Sequence, residues 1–429
     1  MRMFRTRIGK ARSLARHAVT RDFIAMTVMQ GMGYLIPLLT LPYIVRVVGI
    51  EGYGKITFAL AVVAYFVILT DYGFTLTATR DIAMAAENRV ERARIFSAVL
   101  TIKALLLLAS CALLVGVLLL VPALRAEATL FLAAFGIVLG NVLMPVWFFQ
   151  GIQRMGYITV IQFLGQCIYL ALLLLLVRGP EDYVFVAASQ SVGLCSAGIL
   201  GLVAVRYRFG FSFAFPAMRD IRAHFANGVD VFFSRVFLNI YTTSNIVILG
   251  LLATPVVVGQ YAVADKILSV FMVVPNAANQ ALYPHLARAF SEKGANGLRE
   301  TLVRPALAMV LGGSALFVAA IVFREPIIQL VTGGLDPQIK FLLSILAVGL
   351  VASPLGAFYT NALVTIGETR LMRNILFLTG VVSVILAVPT IMLYGASGLA
   401  GVTVIVGLGG IALVRHAYLS NSSNSARLA

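Results

Sequence analysis

The sequence FSAVLTIKALLLLASCALLVGVLLLV, at residues 96–121, is apolar or weakly polar throughout except for one charge, Lys103. A helix needs roughly 20 consecutive, mostly apolar residues to cross the hydrocarbon core of a bilayer. This segment exceeds that length. It therefore predicts a helix that spans a membrane.

Eleven further segments have the same character and are separated by short connections. The whole chain is 60% hydrophobic and 12% charged, with a mean hydropathy of +0.97. Water-soluble proteins carry about 25% charged residues, so most of this surface must face lipid. The predicted fold class is an all-α integral membrane protein of about twelve transmembrane helices. The predicted spans are 23–48, 56–78, 96–121, 130–149, 158–177, 184–205, 225–252, 261–283, 305–323, 341–366, 375–393 and 399–414.

The charge is strongly unbalanced, since 33 Lys and Arg residues against 17 Asp and Glu residues give a formal net charge of +16. Nucleic-acid-binding proteins can share this balance, so the positions of the basic residues decide. The tails and connections on the same side of the membrane as the N-terminus hold 24 basic residues. The connections on the opposite side hold 5, and four basic residues lie within spans. By the positive-inside rule both termini are cytoplasmic, and nucleic acid is not an expected partner.

A weak internal repeat divides the chain. VVGIEGYGKITFALAV at residues 47–62 and VVVGQYAVADKILSV at residues 256–270 align Gly52 with Gly259, an offset of 207 residues. Each half would hold six spans, which predicts two parallel six-helix bundles with a binding site between them. The expected domains are a basic arm (1–22), an N-terminal bundle (23–205), a cytoplasmic linker (206–224), a C-terminal bundle (225–416) and a cytoplasmic tail (417–429).

Charged residues within spans are costly and are therefore functional hypotheses. Arg235 lies roughly 15 Å into its span, near the middle of a ~30 Å hydrocarbon core. We expect it to face a solvated cavity, and a structural pair with an acid is the alternative. For the other basic residues the alternative is snorkelling to the interface. The basic residues within spans are Arg46, Lys103, Arg235 and Lys266, and the acidic ones are Asp71, Asp230 and Asp265.

Two consecutive spans, 225–252 and 261–283, also carry polar residues at helical spacing. Steps of three to four residues place them on one helix face. Faces this long predict the lining of a water-filled cavity, although polar faces also hold membrane helices together. The residues are Asn227, Asp230, Ser234, Tyr241 and Asn245 in the first span and Asp265, Ser269, Met272, Asn276, Asn279 and Tyr283 in the second.

The sequence contains no signature of catalysis or of a cofactor. The four histidines lack metal-ligand spacing, and no G-x-x-x-x-G-K-[ST] loop or G-x-S-x-G turn occurs. The three cysteines show no C-x-x-C spacing. We therefore expect a protein without metal, cofactor or enzymatic activity.

Three segments together resemble one family: LLTLPYIVRVVGIEGYG at 38–54, TDYGFTLTATRDIA at 70–83 and PVWFFQG at 145–151. They are similar to the polysaccharide-biosynthesis flippases of the Wzx type, within the multidrug/oligosaccharidyl-lipid/polysaccharide superfamily. VGQYAVADKI at 258–267 is similar to the pattern of that family's second half. The resemblance covers nearly the whole chain by span count and is most specific across residues 38–83.

The resemblance implies twelve helices in two bundles around a central cavity. It also implies a multi-pass protein of the bacterial inner membrane. Its activity would be to move undecaprenyl-diphosphate-linked oligosaccharide from the cytoplasmic to the periplasmic leaflet. Expected partners are this cargo and membrane lipids, with a polysaccharide polymerase and a chain-length regulator as candidate protein partners.

Roles for the polar residues follow from such a cargo. Cations in the cavity would bind the diphosphate, polar groups would contact the sugars, and acids would couple transport to an ion gradient. Arg80, with Asp81, matches the family's ATRD motif and would either guide entry or fix the end of its span. The diphosphate candidates are Arg235, Lys266, Lys103, Arg46 and Arg80, the sugar candidates are Tyr241, Asn245, Asn276, Asn279 and Gln280, and the ion-coupling candidates are Asp71, Asp230 and Asp265.

Two other functions remain open at this stage. A multidrug or cation antiporter of the same superfamily would meet its cargo with unpaired acids, whereas the deepest charge here is Arg235. A membrane polymerase or glycosyltransferase would need a large loop outside the membrane. The outer connections reach only about 16 residues, which leaves little room for a catalytic site.

Overall fold

The computed structural model describes the backbone of residues 2–210 and 213–428. It describes side chains at 36–122, 124–210, 213–236, 243–283, 285–292 and 302–420. Within these ranges the chain is helical and contains no strand. The α-helices are α1 Arg2–Asp71, α2 Phe74–Met84, α3 Arg89–Leu120, α4 Pro122–Arg125, α5 Ala128–Leu143, α6 Val146–Gly151, α7 Met155–Leu176, α8 Tyr183–Val203, α9 Met218–Leu252, α10 Pro255–Phe271, α11 Val273–Val322, α12 Arg324–Thr332, α13 Pro337–Thr365, α14 Thr369–Tyr394 and α15 Ala396–Leu428. A 3₁₀ turn at Pro180–Asp182 precedes α8, and a π-helical turn at Ala204–Arg208 follows it.

The all-α membrane class is confirmed. Among the described residues, nine helices are long and apolar enough to cross a membrane, or ten if the bent pair α10–α11 forms one span. Twelve spans remain a prediction. The first two predicted spans lie on the single helix α1, which is kinked at Gly49. Of the predicted seventh span, the described side chains include the apolar stretch Thr243–Leu252, and the side chains of residues 237–242 lie outside the described ones.

Helix breaks interrupt three of the predicted spans. The predicted span 56–78 is broken at Tyr72 and Gly73, which both have positive φ. The span 130–149 is broken before Pro145, whose ring nitrogen has no hydrogen to donate to a helix. The span 261–283 bends by 45° at the junction of α10 and α11. Such breaks in membrane helices are typical of segments that line a cavity or are buried in protein.

Contacts divide the chain into two compact units. The first unit comprises residues 1–40 and 62–235, and the second comprises 41–61 and 236–429. The division into bundles at residues 23–205 and 225–416 stays a prediction. The compact units differ from those bundles in two segments. Residues 41–61 group with the second unit, and residues up to 235 group with the first.

The first unit is built around an aromatic core. Trp147, Phe148 and Phe149 of α6 are fully buried and pack against Phe96 of α3 and Phe74 of α2. Helices α7 and α8 approach closely through glycines: a Cβ at Gly165 would lie 2.7 Å from the carbonyl oxygen of Gly193. Small residues at crossings are how membrane helices gain close packing.

The second unit has its own apolar core, formed mainly by α10 and α13. Within it the end of α1 that follows Gly49 crosses α10 at two glycines. A Cβ at Gly54 would lie 1.9 Å from the carbonyl oxygen of Pro255, and one at Gly259 would lie 2.1 Å from that of Ile50. Only glycine fits at this crossing without moving one backbone.

Candidate functional site

An ion pair in the first unit joins two helices far apart in sequence. Nη1 of Arg235 on α9 lies 3.1 Å from Oδ2 of Asp71, the last residue of α1. The other carboxylate oxygen of Asp71 accepts a hydrogen bond of 2.7 Å from the hydroxyl of Thr75. The Arg235 side chain is 38% exposed and that of Asp71 is 18% exposed. The pair is therefore accessible from one side and supported by protein on the other.

A second cation supports this pair from inside the unit. Lys103 of α3 is only 3% exposed, and its Nζ donates a 3.1 Å hydrogen bond to the carbonyl oxygen of Asn141. Asn141 lies in the last turn of α5, where carbonyl groups favour a cation. Asp71 also attracts the Lys103 ammonium electrostatically. Lys103 does not snorkel to an interface.

One face of α9 positions Arg235. The ring of Tyr72 stacks on Phe225 with centroids 4.5 Å apart and on Phe232 at 5.0 Å. Gly228 lies between these phenylalanines, and a Cβ there would come within 2.7 Å of the Tyr72 ring. Residues 225, 228, 232 and 235 share one helix face because they are three or four positions apart. The stacking of Tyr72 on α9 therefore also fixes the position of Arg235 along the α9 axis, beside Asp71.

The helix break after Asp71 requires a glycine at position 73. Gly73 has φ +81°, and a Cβ there would lie 2.6 Å from Cγ1 of Val231 on α9. A glycine is needed both for the backbone conformation and for the close approach. The break separates α1 from α2 at the residue that holds the arginine.

These three residues, Asp71, Arg235 and Lys103, form what we call the α9 cluster. It combines two cations with one carboxylate, so it carries a net positive charge when all three are ionised. A cluster of this kind attracts an anion that can compete with Asp71 for the arginine.

A second group of ion pairs lies near the beginning of α9. Arg80 pairs with its neighbour Asp81 at 3.1 Å, and the other oxygen of Asp81 lies 3.4 Å from Nδ1 of His224. Asp220 pairs with Arg94 of α3 at 3.0 Å. The Arg80 side chain is 63% exposed. It lies in the last part of α2 and does not belong to the α9 cluster.

The remaining predicted cations lie in the second unit. Arg46 is exposed, and its Nη2 donates to the carbonyl oxygens of Gln329, at 3.1 Å, and Leu330. These carbonyls belong to the last turn of α12, so Arg46 caps that helix. Lys266 is half-buried and interacts electrostatically with the adjacent Asp265.

The residues predicted to contact sugars separate into two kinds. Asn245 is 9% exposed, and its amide donates to the hydroxyl of Thr403 at 3.3 Å. Asn279 is 4% exposed and donates to the carbonyl oxygen of Pro354 at 3.1 Å. Both placements favour helix packing. By contrast, Asn276 is half-buried and Gln280 is exposed, whereas Tyr241 lies outside the described side chains.

Asp230 and Asp265 are both exposed, and each differs from Asp71 in its setting. Asp230 lies one turn from Ser234, whose hydroxyl donates to the Asp230 main-chain carbonyl. Asp265 lies on α10 of the second unit. Across the part of the chain whose side chains are described, no group of three His, Cys, Asp or Glu residues could hold a metal ion.

Sequence reasoning did not find Asn141, Tyr72, Phe225 or Phe232 as parts of this site. Asp71 was found, but not as the partner of Arg235. The available signal was the Tyr72–Gly73 dipeptide directly after an intramembrane acid. The partner helix could not be read from the sequence because the contact spans 164 positions.

Comparison with known proteins identifies the family. The family described as "Polysaccharide biosynthesis protein" matches residues 19–290, well over half of the chain. The chain belongs to this family. A second family, described as MatE, matches residues 231–389.

Two relatives carry the name "Putative O-antigen transporter". The one from Escherichia coli (strain K12) is 28% identical over 89% of this chain and 92% of its own length. The one from Shigella dysenteriae is 24% identical over 88% of this chain and 94% of its own length. The resemblance read from residues 38–83 is thereby confirmed.

Solved structures of two kinds share the fold. An inward-facing multidrug resistance MATE family transporter of the MOP superfamily aligns over 95% of this chain and 99% of its own, with a TM-score of 0.74 and 15% identity. The lipid II flippase MurJ, in an inward closed conformation, aligns over 94% and 90%, with a TM-score of 0.70 and 13% identity. These likenesses establish a multi-pass membrane transporter fold.

Proposed function

We propose that this protein moves an undecaprenyl-diphosphate-linked oligosaccharide from the cytoplasmic to the periplasmic leaflet of a bacterial inner membrane by alternating access. The observation that carries the proposal is the α9 cluster. The half-exposed Arg235 and the buried Lys103 would provide positive charge for an anionic group at the depth that the sequence predicts, where charge is otherwise costly.

The diphosphate fits the chemistry of this cluster. A guanidinium forms paired hydrogen bonds with phosphate oxygens, so Arg235 can exchange the carboxylate of Asp71 for the cargo. Lys103 cannot reach the cargo from its buried position without moving, but in its ionised form it would add to the local positive potential. The diphosphate would thus be held by one direct contact and one charge behind it.

The rest of the cargo needs different surroundings. Sugars require hydrogen-bonding groups, which exposed Gln280 and half-buried Asn276 offer. The polyprenyl tail remains in the bilayer hydrocarbon throughout. The names of the relatives, O-antigen transporter and lipid II flippase, support a lipid-linked saccharide. Binding of a polymerase or a chain-length regulator remains a separate proposal.

The test is reconstitution of the full chain in liposomes that contain a fluorescent undecaprenyl-diphosphate sugar. A membrane-impermeant quencher reports movement between leaflets. We expect acceleration over empty liposomes and about a tenfold or greater loss in Arg235→Ala, since a charge-assisted hydrogen bond contributes roughly 1.5–3 kcal/mol.

Arg125→Ala is the matched control because Arg125 is exposed at the end of α4 and outside the cluster. It should transport at the wild-type rate. Absence of acceleration by the wild-type protein would contradict the function. Wild-type transport by Arg235→Ala would contradict the role of the cluster.

A cation antiporter is the second candidate, favoured by the MatE match at residues 231–389. The same liposomes can be loaded with a fluorescent organic cation. Movement of the cation with no movement of the lipid-linked sugar would favour this alternative.

A further inference from the structure

An open recess of about 330 Å³ lies at the beginning of α7 in the first unit. It is lined by Arg154, Gly156, Tyr157 and Val160. The Tyr157 ring is fixed by stacking on Phe149, with centroids 5.8 Å apart. The recess is thus a formed feature of the surface, distinct from the α9 cluster.

One arginine lines the recess, and a second contacts a tyrosine that lines it. Arg154 is exposed, and within the described side chains its guanidinium makes no hydrogen bond or ion pair. Nε of Arg208, also exposed, donates to the Tyr157 hydroxyl at 3.4 Å. None of the described residues that line the recess is an acid. The recess is therefore suited to a phosphate group.

The recess lies at the boundary of the hydrocarbon region. Arg154 directly precedes the span Met155–Leu176, and Arg208 ends the span Pro180–Arg208. Because α7 and α8 are consecutive helices packed against each other, these two ends lie on the same side of the membrane. Phospholipid headgroups occupy this level.

An apolar surface continues from the recess along α7. Val160 is 59% exposed, Phe163 49% and Leu164 44%. Residues spaced by three or four positions share one helix face, so these side chains extend from the recess into the span. A molecule with a charged head and an apolar chain matches both parts.

We propose that this recess binds an anionic phospholipid, with its phosphodiester headgroup at Arg154 and Arg208 and an acyl chain along Val160 and Phe163. The phosphate and the acyl chain together distinguish this occupant from free phosphate. The proposal does not depend on the cargo that the α9 cluster binds.

Gly156 allows a test that keeps both arginines. A Cβ at Gly156 would meet no heavy atom within 4 Å, so Gly156→Leu fills the recess without a clash at that carbon. Gly116 of α3 is equally open, and Gly116→Leu is the matched control. The corresponding control for the charges is Arg125→Ala, which is exposed outside the recess.

The experiment is native mass spectrometry of the full chain in detergent, titrated with phosphatidylglycerol, phosphatidylcholine or inorganic phosphate. We expect one retained phosphatidylglycerol and at least a tenfold preference over phosphatidylcholine. The double variant R154A/R208A should bind phosphatidylglycerol about thirtyfold more weakly, which corresponds to about 1 kcal/mol for each of the two arginines.

Gly156→Leu should lose the retained lipid, whereas Gly116→Leu and Arg125→Ala should keep it. Wild-type lipid binding in both R154A/R208A and Gly156→Leu overturns the proposal. So does displacement of the lipid by inorganic phosphate alone, which indicates a free-phosphate site. If the protein retains phosphatidylcholine as well as it retains phosphatidylglycerol, the proposed preference for an anionic lipid is wrong.

Discussion

A single carboxylate holds the α9 cluster together. Asp71 accepts hydrogen bonds from Arg235 and Thr75 and attracts the buried Lys103. Removing one partner of a partly buried ion pair leaves the other charge without compensation, which is costly. In our proposal, the same carboxylate is the group that the anionic cargo displaces. Asp71 would therefore link folding, cargo binding and ion coupling.

We predict that Asp71→Asn binds the diphosphate cargo more tightly but transports it more slowly. Arg235 would no longer have a competing anion, so both binding and retention of the cargo increase. Equilibrium binding of fluorescent cargo and the liposome rate measure the two effects. The dependence of transport on a proton or sodium gradient should also change.

Asp230→Asn and Asp265→Asn test the other two candidates for ion coupling in the same assay. Both acids are exposed and lie outside the α9 cluster. Unchanged gradient dependence in all three variants would refute the coupling role of the intramembrane acids.

Lys103→Met should separate charge from packing. Methionine fills a similar volume without burying an ammonium group, so the thermal stability should change by a few degrees at most. Transport of the anionic cargo should fall about tenfold, because a charge near the site is worth roughly 1 kcal/mol or more at partial burial. An unchanged rate in the folded variant would show that the charge of Lys103 does not contribute to transport.

The sequence identified the right residue types at this scale but not their partners. Arg235 was selected from its position in a predicted span, and the structure pairs it with an acid, which was the alternative to a solvated cavity. Its pairing with Asp71 depends on the tertiary packing of Tyr72 between Phe225 and Phe232. Nothing in the local sequence specifies a contact of this length.

At the scale of helices, the break at Tyr72–Gly73 has two separable causes. Gly73 has positive φ and also no room for a Cβ beside Val231. Gly367 has a similar φ of +87°, but a Cβ there would meet nothing within 4 Å. The two glycines therefore form a matched pair for substitution by alanine.

We predict that Gly367→Ala loses about 1 kcal/mol of stability, from backbone strain alone. Gly73→Ala should lose an additional ~1–3 kcal/mol from overpacking against α9. Thermal unfolding in detergent shows which of the two variants loses more stability. Equal losses would contradict the close approach of Gly73 to Val231.

Hydrophobic length predicted the positions of most helices but not most of their interruptions. The helix α3, at Arg89–Leu120, contains the predicted span 96–121 almost entirely. One interruption was predicted, since the boundary between the first two predicted spans coincides with the kink of α1 at Gly49. The break at Gly73 was missed because an isolated glycine in an apolar segment also occurs in unbroken helices, as at Gly116.

At the scale of the whole molecule, charge asymmetry determines the orientation that the proposed transport direction needs. The predicted cytoplasmic connections hold 24 basic residues and the opposite ones 5. Basic residues near span ends are retained on the cytoplasmic side during insertion. The direction of transport can be assigned only if this orientation holds.

We therefore predict that a fluorescent protein fused after Ala429 is bright, because such fusions fold in the cytoplasm. A phosphatase that is active only in the periplasm should be active when fused in the connection at Arg125 and inactive when fused at Arg154. The two connections flank the span Ala128–Gly151, so they must report opposite sides if that segment crosses the membrane once. Equal phosphatase activity at both sites would show that it does not cross. If the fusion at Arg154 were active and the fusion at Arg125 inactive, the orientation would be the reverse of the predicted one. The α9 cluster would then have to receive cargo from the other leaflet.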